Sequence, residues 1–312
     1  MIRLRAAIIL CLSFWGATAD AQTSGGINWS YQAKEGVAFA RKTRQPMMFW
    51  IVGRTCCEGD RIKNRELKAF RDSRVLELAR NFVTVRLSRS ANADLLKSWN
   101  LSTKTDLAIV FSTPDGKRLD MLHASAIVDP EALARKMQAV LKSYRNKLFR
   151  DEIETVLVDP QAKPGDVVDA LELIERLALT QADKPLIDLL DRQSPDADTR
   201  GKTLATLAKL STPAAVDYLL KAAREEDAAV EALKECTPVA AERLLSAVKS
   251  DYADLLPVVY EASAHICGLR SVKPRRFWEG ENKFVLDKEF ERVRKLVAEQ
   301  AERWRKQHAE LR

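Results

Sequence analysis

Met47-Met48-Phe49-Trp50-Ile51-Val52-Gly53-Arg54-Thr55-Cys56-Cys57-Glu58-Gly59-Asp60 is an apolar run of six side chains that leads, past a glycine, into two adjacent cysteines. A short continuous apolar run of this kind reads as a buried strand. Outward from it, Ala33 to Thr43 has helical spacing on the N-terminal side, and Arg61 to Arg80 follows as a second helix. Phe82-Val83-Thr84-Val85-Arg86-Leu87 is a second strand, Asp94 to Trp99 a short helix, and Leu107 to Phe111 a third strand. Pro114-Asp115-Gly116 is a hairpin turn with its return strand near Arg118 to Leu122, and Pro130 to Tyr144 closes the region as a helix. Strands interleaved with helices and finishing in a hairpin make a small α/β domain of about 120 residues.

Beyond Arg150 the strand signal fades. Asp159-Pro160, Lys163-Pro164-Gly165, Ser194-Pro195, Thr212-Pro213 and Thr237-Pro238 divide the chain into short Ala- and Leu-rich helices. In the two Thr-Pro pairs the threonine suits the N-cap and the proline the first helical position. Lys209, Thr212, Pro213, Ala215, Leu219, Leu220 and Ala222 recur 25 positions later as Lys234, Thr237, Pro238, Ala240, Leu244, Leu245 and Ala247, with a weaker echo at Lys184 to Leu190. Amphipathic helices repeated in this way bury their apolar faces by stacking into a short solenoid. Leu286 to Arg312 is a long charged helix with Leu286, Phe290, Val293, Leu296, Val297, Ala301 and Trp304 along one stripe, preceded by the basic, aromatic loop Lys273 to Trp278.

Met1 to Ala21 places Arg3 and Arg5 before a short apolar run and ends in Ala19-Asp20-Ala21, the order of a cleaved secretory signal peptide. The reading is therefore a signal peptide at 1–21, an α/β domain at 22–148, a helical repeat region at 149–272, and a loop with a capping helix at 273–312. The expected location is periplasmic or secreted, with no membrane span after cleavage. The chain carries a formal net charge of +7, and removing the leader gives +7 − 2 + 1 = +6. The basic residues are mixed with acidic ones along the chain, so the charge reads as solubility with weak attraction to anionic surfaces, and nucleic acid is not an expected partner.

Trp29, Ala38 to Lys42, Pro46, the strand into Gly53, Val75 with Asn81-Phe82-Val83, Trp99, and Ala108-Ile109-Val110-Phe111 running to Pro114-Asp115-Gly116-Lys117 carry a likeness. In these residues the first region resembles a secreted thioredoxin-like domain, and the helical half is more loosely similar to HEAT-type repeats. The resemblance implies an α/β thioredoxin-like domain followed by an all-α, solenoid-like repeat domain. An active member would carry Trp-Cys-x-x-Cys at the helix after the first central strand. Here, aligning the first cysteine on Cys56 puts Gly59 at the second, and aligning the second on Cys57 puts Arg54 at the first. The family's cis-proline position falls on Leu107, where a cis bond would cost about 2.5–4 kcal/mol. The resemblance thus implies a degenerate redox turn, with Trp50, Arg54, Thr55, Asp106 and Leu107 bordering it as binding candidates.

Several readings of Cys56 and Cys57 stay open. One is a single thiolate at a helix N-terminus, favoured by the dipole and by Arg54 or Arg61 and opposed by Glu58 and Asp60. A second is a strained vicinal disulfide, readily reduced. A third is soft-metal capture, for which His123, His265 and His308 offer no ligand spacing. A fourth is a structural turn without chemistry. Cys236 and Cys267 are either bridged, closing a loop of about 30 residues worth roughly 3 kcal/mol, or two buried free thiols. No phosphate loop, nucleophile elbow or zinc-binding helix motif is present, and no cofactor or metal is expected. The leading expectation is a protein-binding or scaffold module rather than an enzyme. The alternative is a thiol-disulfide oxidoreductase or thiol-peroxidase-like enzyme using Cys56 and Cys57.

Overall fold

The computed structural model describes residues 26–52, 68–101, 108–192, 196–248, 253–270, 272–280 and 282–308. Four strands, β1 (Met47–Val52), β2 (Val83–Ser88), β3 (Ala108–Ser112) and β4 (Arg118–His123), form one mixed sheet in the order β2-β1-β3-β4. β1 and β2 run parallel, while β3 is antiparallel to β1 and to β4. The β3–β4 turn is the one expected at Pro114-Asp115-Gly116. Gly116 adopts φ +86°, a conformation glycine enters without a Cβ penalty, and its N–H donates to the Thr113 carbonyl at 2.9 Å.

The apolar run at the centre of the sheet is explained by burial on both faces. Met47, Phe49 and Ile51 join Val83, Val85, Leu87, Trp99 and Val110 on one side, where Ala40 of the helix Ala33–Thr43 also packs. Met48 and Trp50 turn the other way, towards Phe70, Val75, Leu78, Ile109, Phe111 and the first half of the helix Pro130–Leu148. β2, by contrast, alternates buried and half-buried positions and ends on an exposed Ser88, and among the described residues its outer edge carries a short parallel bridge from Ser30 to Val85.

Of the helix expected over Arg61 to Arg80, residues 61–67 lie outside the described residues, and Lys68 and Ala69 are helical. Within the described residues the chain makes a tight turn at Phe70 to Asp72 and starts afresh as Ser73–Ala79. Asp72 enforces the restart, because its carboxylate accepts the Arg74 N–H at 3.0 Å as an N-cap and its backbone is extended.

From Pro130 the chain stays helical to Val158: Pro130–Leu148 continues through a π-helical segment Phe149–Ile153 into Glu154–Val158. Leu133, Met137 and Leu141 belong to the core under the sheet, whereas Tyr144, Leu148 and Phe149 belong to the core of the helical region. The Tyr144 hydroxyl donates to the Arg44 carbonyl at 2.7 Å, Arg145 donates to Asn81 Oδ1 at 2.8 Å, and Arg44 pairs with Glu152. The change of region at residue 148 therefore falls inside a continuous helical rod.

The remaining helices stack as two layers. Pro164–Leu177, Ala197–Leu210, Asp227–Leu233 and Leu256–Ile266 contact one another in sequence. Behind them run Glu154–Val158, Asp183–Asp191, Pro213–Ala222, Pro238–Ala247 and Lys283–His308. Side-chain links recur between successive hairpins: Arg200 to Glu226, Arg243 to Asp217 and Arg224 to Asp254 are all two-pronged guanidinium–carboxylate pairs. Thr212 caps as expected, accepting the Ala215 N–H at 3.2 Å ahead of Pro213. Thr237 makes no side-chain cap, and its backbone N–H donates instead to Ser211 Oγ at 2.9 Å.

The last helix, Lys283–His308, buries Phe290, Val293, Val297 and Ala301 of the apolar stripe. Its first turns are clasped by a polar cluster centred on the buried Tyr260 and Glu289. Tyr260 Oη donates to Glu289 Oε1 at 2.6 Å, Arg292 donates to both Glu289 oxygens at 2.7 and 2.8 Å, and the Lys273 N–H donates to Tyr260 Oη at 2.9 Å. Trp278, from the basic, aromatic segment, packs its ring 4.6 Å from that of Tyr260. Among the described residues no helix is long and apolar enough to cross a membrane.

Candidate functional site

The sheet register sets the geometry of the first candidate site. Ile51 lies opposite both Leu87 and Ala108, and Ala108 lies opposite His123. The exit of β1, the exit of β2, the entry of β3 and the exit of β4 therefore share one edge of the sheet. The segment bearing Cys56 and Cys57 follows β1, and the segment bearing Asp106 and Leu107 precedes β3. Cys56, Cys57, Arg54, Thr55, Asp106 and Leu107 themselves lie outside the described residues.

Trp50, the remaining binding candidate here, is only 3% exposed. It is a packing residue rather than a binding surface, because strand alternation turns its indole into the core beside Met48. Its ring lies 5.4 Å from Trp29 and 5.1 Å from Phe70, while Trp29 and Phe70 are 5.2 Å apart, so three aromatic rings close this part of the sheet. Arg86, its register partner on β2, sets its guanidinium 4.8 Å from the Trp50 ring and 5.5 Å from that of Tyr31. Tyr31, 72% exposed, is the member of this neighbourhood that faces solvent. His123 is exposed at the same sheet edge. Ligand spacing along the sequence gives it no role, since only cross-strand pairing brings it beside Ala108.

The second candidate site is a groove of about 640 Å³ on the first helical layer. It is lined by the small residues Gly201, Ala205, Ala228 and Ala232 and by Lys209, Lys234, Glu231, Glu235 and His265. Small side chains at successive turns of adjacent helices leave the hollow between them. The two lysines occupy matching positions of the 25-residue repeat. Lys209 Nζ donates to Glu175 Oε2 at 2.7 Å, and Lys234 Nζ lies 2.8 Å from Glu231 and 3.1 Å from Glu261. Hydrogen bonds to Glu231 and then Glu261 raise the Lys234 pKa, so its ammonium stays charged. The groove is thus lined by charged side chains of both signs together with small uncharged ones. Among the described residues no group of three or more His, Cys, Asp or Glu side chains is placed to hold a metal ion.

Cys236 and Cys267 are free and buried, so the bridge considered for them is not formed. Burial pushes the Cys236 thiol up to about 12 and the Cys267 thiol up to about 11, so both are protonated and unreactive at neutral pH.

Neither a protein-family model nor a curated protein sequence matches this chain.

Proposed function

We propose that this is an exported protein-binding module, a thioredoxin-like domain with a degenerate redox turn joined to a HEAT-like repeat, whose work is to hold another polypeptide. The observation that carries the reading is the groove lined by Gly201, Ala205 and Ala228 and by lysines that repeat with the helices. Stacked-helix arrays offer extended faces of this kind to partners. The thioredoxin-like assignment is supported by the strand order β2-β1-β3-β4, with a parallel first pair and an antiparallel hairpin. Export is supported by the residue pattern at 1–21.

The test is affinity capture from the exported compartment with wild type and with Ala205→Trp, which fills the groove. A partner retained by wild type and lost by the variant is the expected result; equal retention would rule the groove out.

A second reading, thiol oxidoreduction by Cys56 and Cys57, is favoured by the shared sheet edge at which β1 ends and β3 begins. Insulin reduction with dithiothreitol separates the two. Background rates for wild type, Cys56→Ser and Cys57→Ser are expected from a binding module, whereas turnover lost in either variant would make the protein an enzyme.

A further inference from the structure

We propose that Val272, Lys273, Arg275 and Arg276 together with the helix start Lys283, Phe284 and Val285 form a docking face for an anionic lipid bilayer, with Phe284 and Val285 entering the headgroup layer. This surface lies outside the groove and does not depend on its occupant.

Three observations meet there. The first is apolar exposure. Phe284 is 75% exposed, more than any other large hydrophobic side chain among the described residues, and Val272 and Val285 are 43% and 38% exposed. Scattered surface apolar residues need no explanation, but neighbouring ones do. Phe284 and Val285 are adjacent in the chain, and the segment carrying Val272 is tied to the same helix start, since the Lys273 N–H donates to Tyr260 and Tyr260 donates to Glu289, one helical turn beyond Val285. The second is rigidity. Asn282 Oδ1 accepts the Phe284 N–H at 2.8 Å and starts the helix, so Phe284 is held in the first turn rather than on a loose tail.

The third is charge. Residues 270–288 hold Arg270, Lys273, Arg275, Arg276, Lys283 and Lys288 against Glu279, Glu281 and Asp287, or 6 − 3 = +3, nearly half of the chain's +7 in a small fraction of its length. Arg275 pairs with Glu279 at 3.6 Å, and the described basic residues of the set are all exposed. Apolar side chains that project from a cationic surface suit a soft anionic layer, which yields to protrusions and concentrates cations at phosphate. A folded acidic protein would need a matching hollow.

The experiment is sedimentation of the mature full-length chain with vesicles of phosphatidylcholine alone or mixed with phosphatidylglycerol, at low and high salt. The expected result is binding only to the phosphatidylglycerol vesicles, weakened by salt. Phe284→Ser is expected to lower partitioning about tenfold, and Arg276→Glu with Lys283→Glu by a comparable factor. Unfolding midpoints should not change, because these side chains are exposed. Failure of wild type to bind, equal binding to both vesicles, or full binding by either variant would overturn the proposal. Capture of poly-glutamate without vesicle binding would also overturn it and assign the face to an acidic polypeptide.

Discussion

Gly36 and Val85 meet so closely that a Cβ built on Gly36 would lie 2.7 Å from Val85 Cγ2. Gly36 is how the helix Ala33–Thr43 approaches β2, and the β-branched valine, fixed in a buried strand position, cannot rotate away cheaply. Gly36→Ala should therefore destabilise the protein by about 1–3 kcal/mol, overpacking outweighing a helix-propensity gain of about 1 kcal/mol. Urea unfolding followed by circular dichroism measures it, and a stabilised variant would show that the helix can shift outward.

Gly201 gives the opposite sign. It too sits within a helix, Ala197–Leu210, but a Cβ there meets nothing within 4 Å. Gly201→Ala should stabilise by about 0.5–1 kcal/mol in the same assay, since the unfolded chain loses freedom and nothing folded is crowded.

Removal of the Glu289 carboxylate should loosen the last helix. Hydrogen bonds from Arg292, then from Tyr260, hold this carboxyl below its ordinary value, so its contribution is present above about pH 4.5 and fades as pH falls through the folded value. Glu289→Ala leaves the Tyr260 hydroxyl without its acceptor and should cost about 2–3 kcal/mol at neutral pH. The loss should shrink in acid; thermal melts at neutral and acidic pH give the comparison.

Alkali should unfold the chain by a route opened by Cys236, Cys267 and Tyr144. Burial raises the two thiols from near 9.0 to about 12 and about 11, and the phenol from near 10.0 to about 12. All three favour the protonated folded state, so their contribution is intact below pH 9 and declines from there towards pH 12. Cys236→Ala should flatten that decline. In native protein at neutral pH, iodoacetamide should modify Cys236 and Cys267 only after denaturant is added, so rapid native labelling of either would contradict their burial.

Much of the sheet was legible because its signals are local. Met47 to Val52 announces burial on both faces by having no polar position, and Pro114-Asp115-Gly116 announces the hairpin by its turn chemistry. The stacked helices were legible for another reason: Lys209 and Lys234, with their neighbours, repeat at a fixed offset, and the structure puts both lysines on one groove. What escaped was set by register. Trp50 lies in a strand read as buried and also borders the turn as a binding candidate, and only its pairing with Arg86 and packing with Trp29 and Phe70 show which face of the sheet its ring joins. His123 reaches the candidate edge only through Ala108. The pairs Arg200 to Glu226 and Arg243 to Asp217 span 26 positions, beyond the three or four over which charge patterning on one helix is read.

The rod from Pro130 to Val158 leaves no exposed hinge between the sheet and the helical stack. A protease seeking an interdomain nick would have to break helical hydrogen bonds and expose Tyr144, Leu148 and Phe149 together. Limited digestion should therefore spare this junction, and the two halves should denature in a single cooperative event.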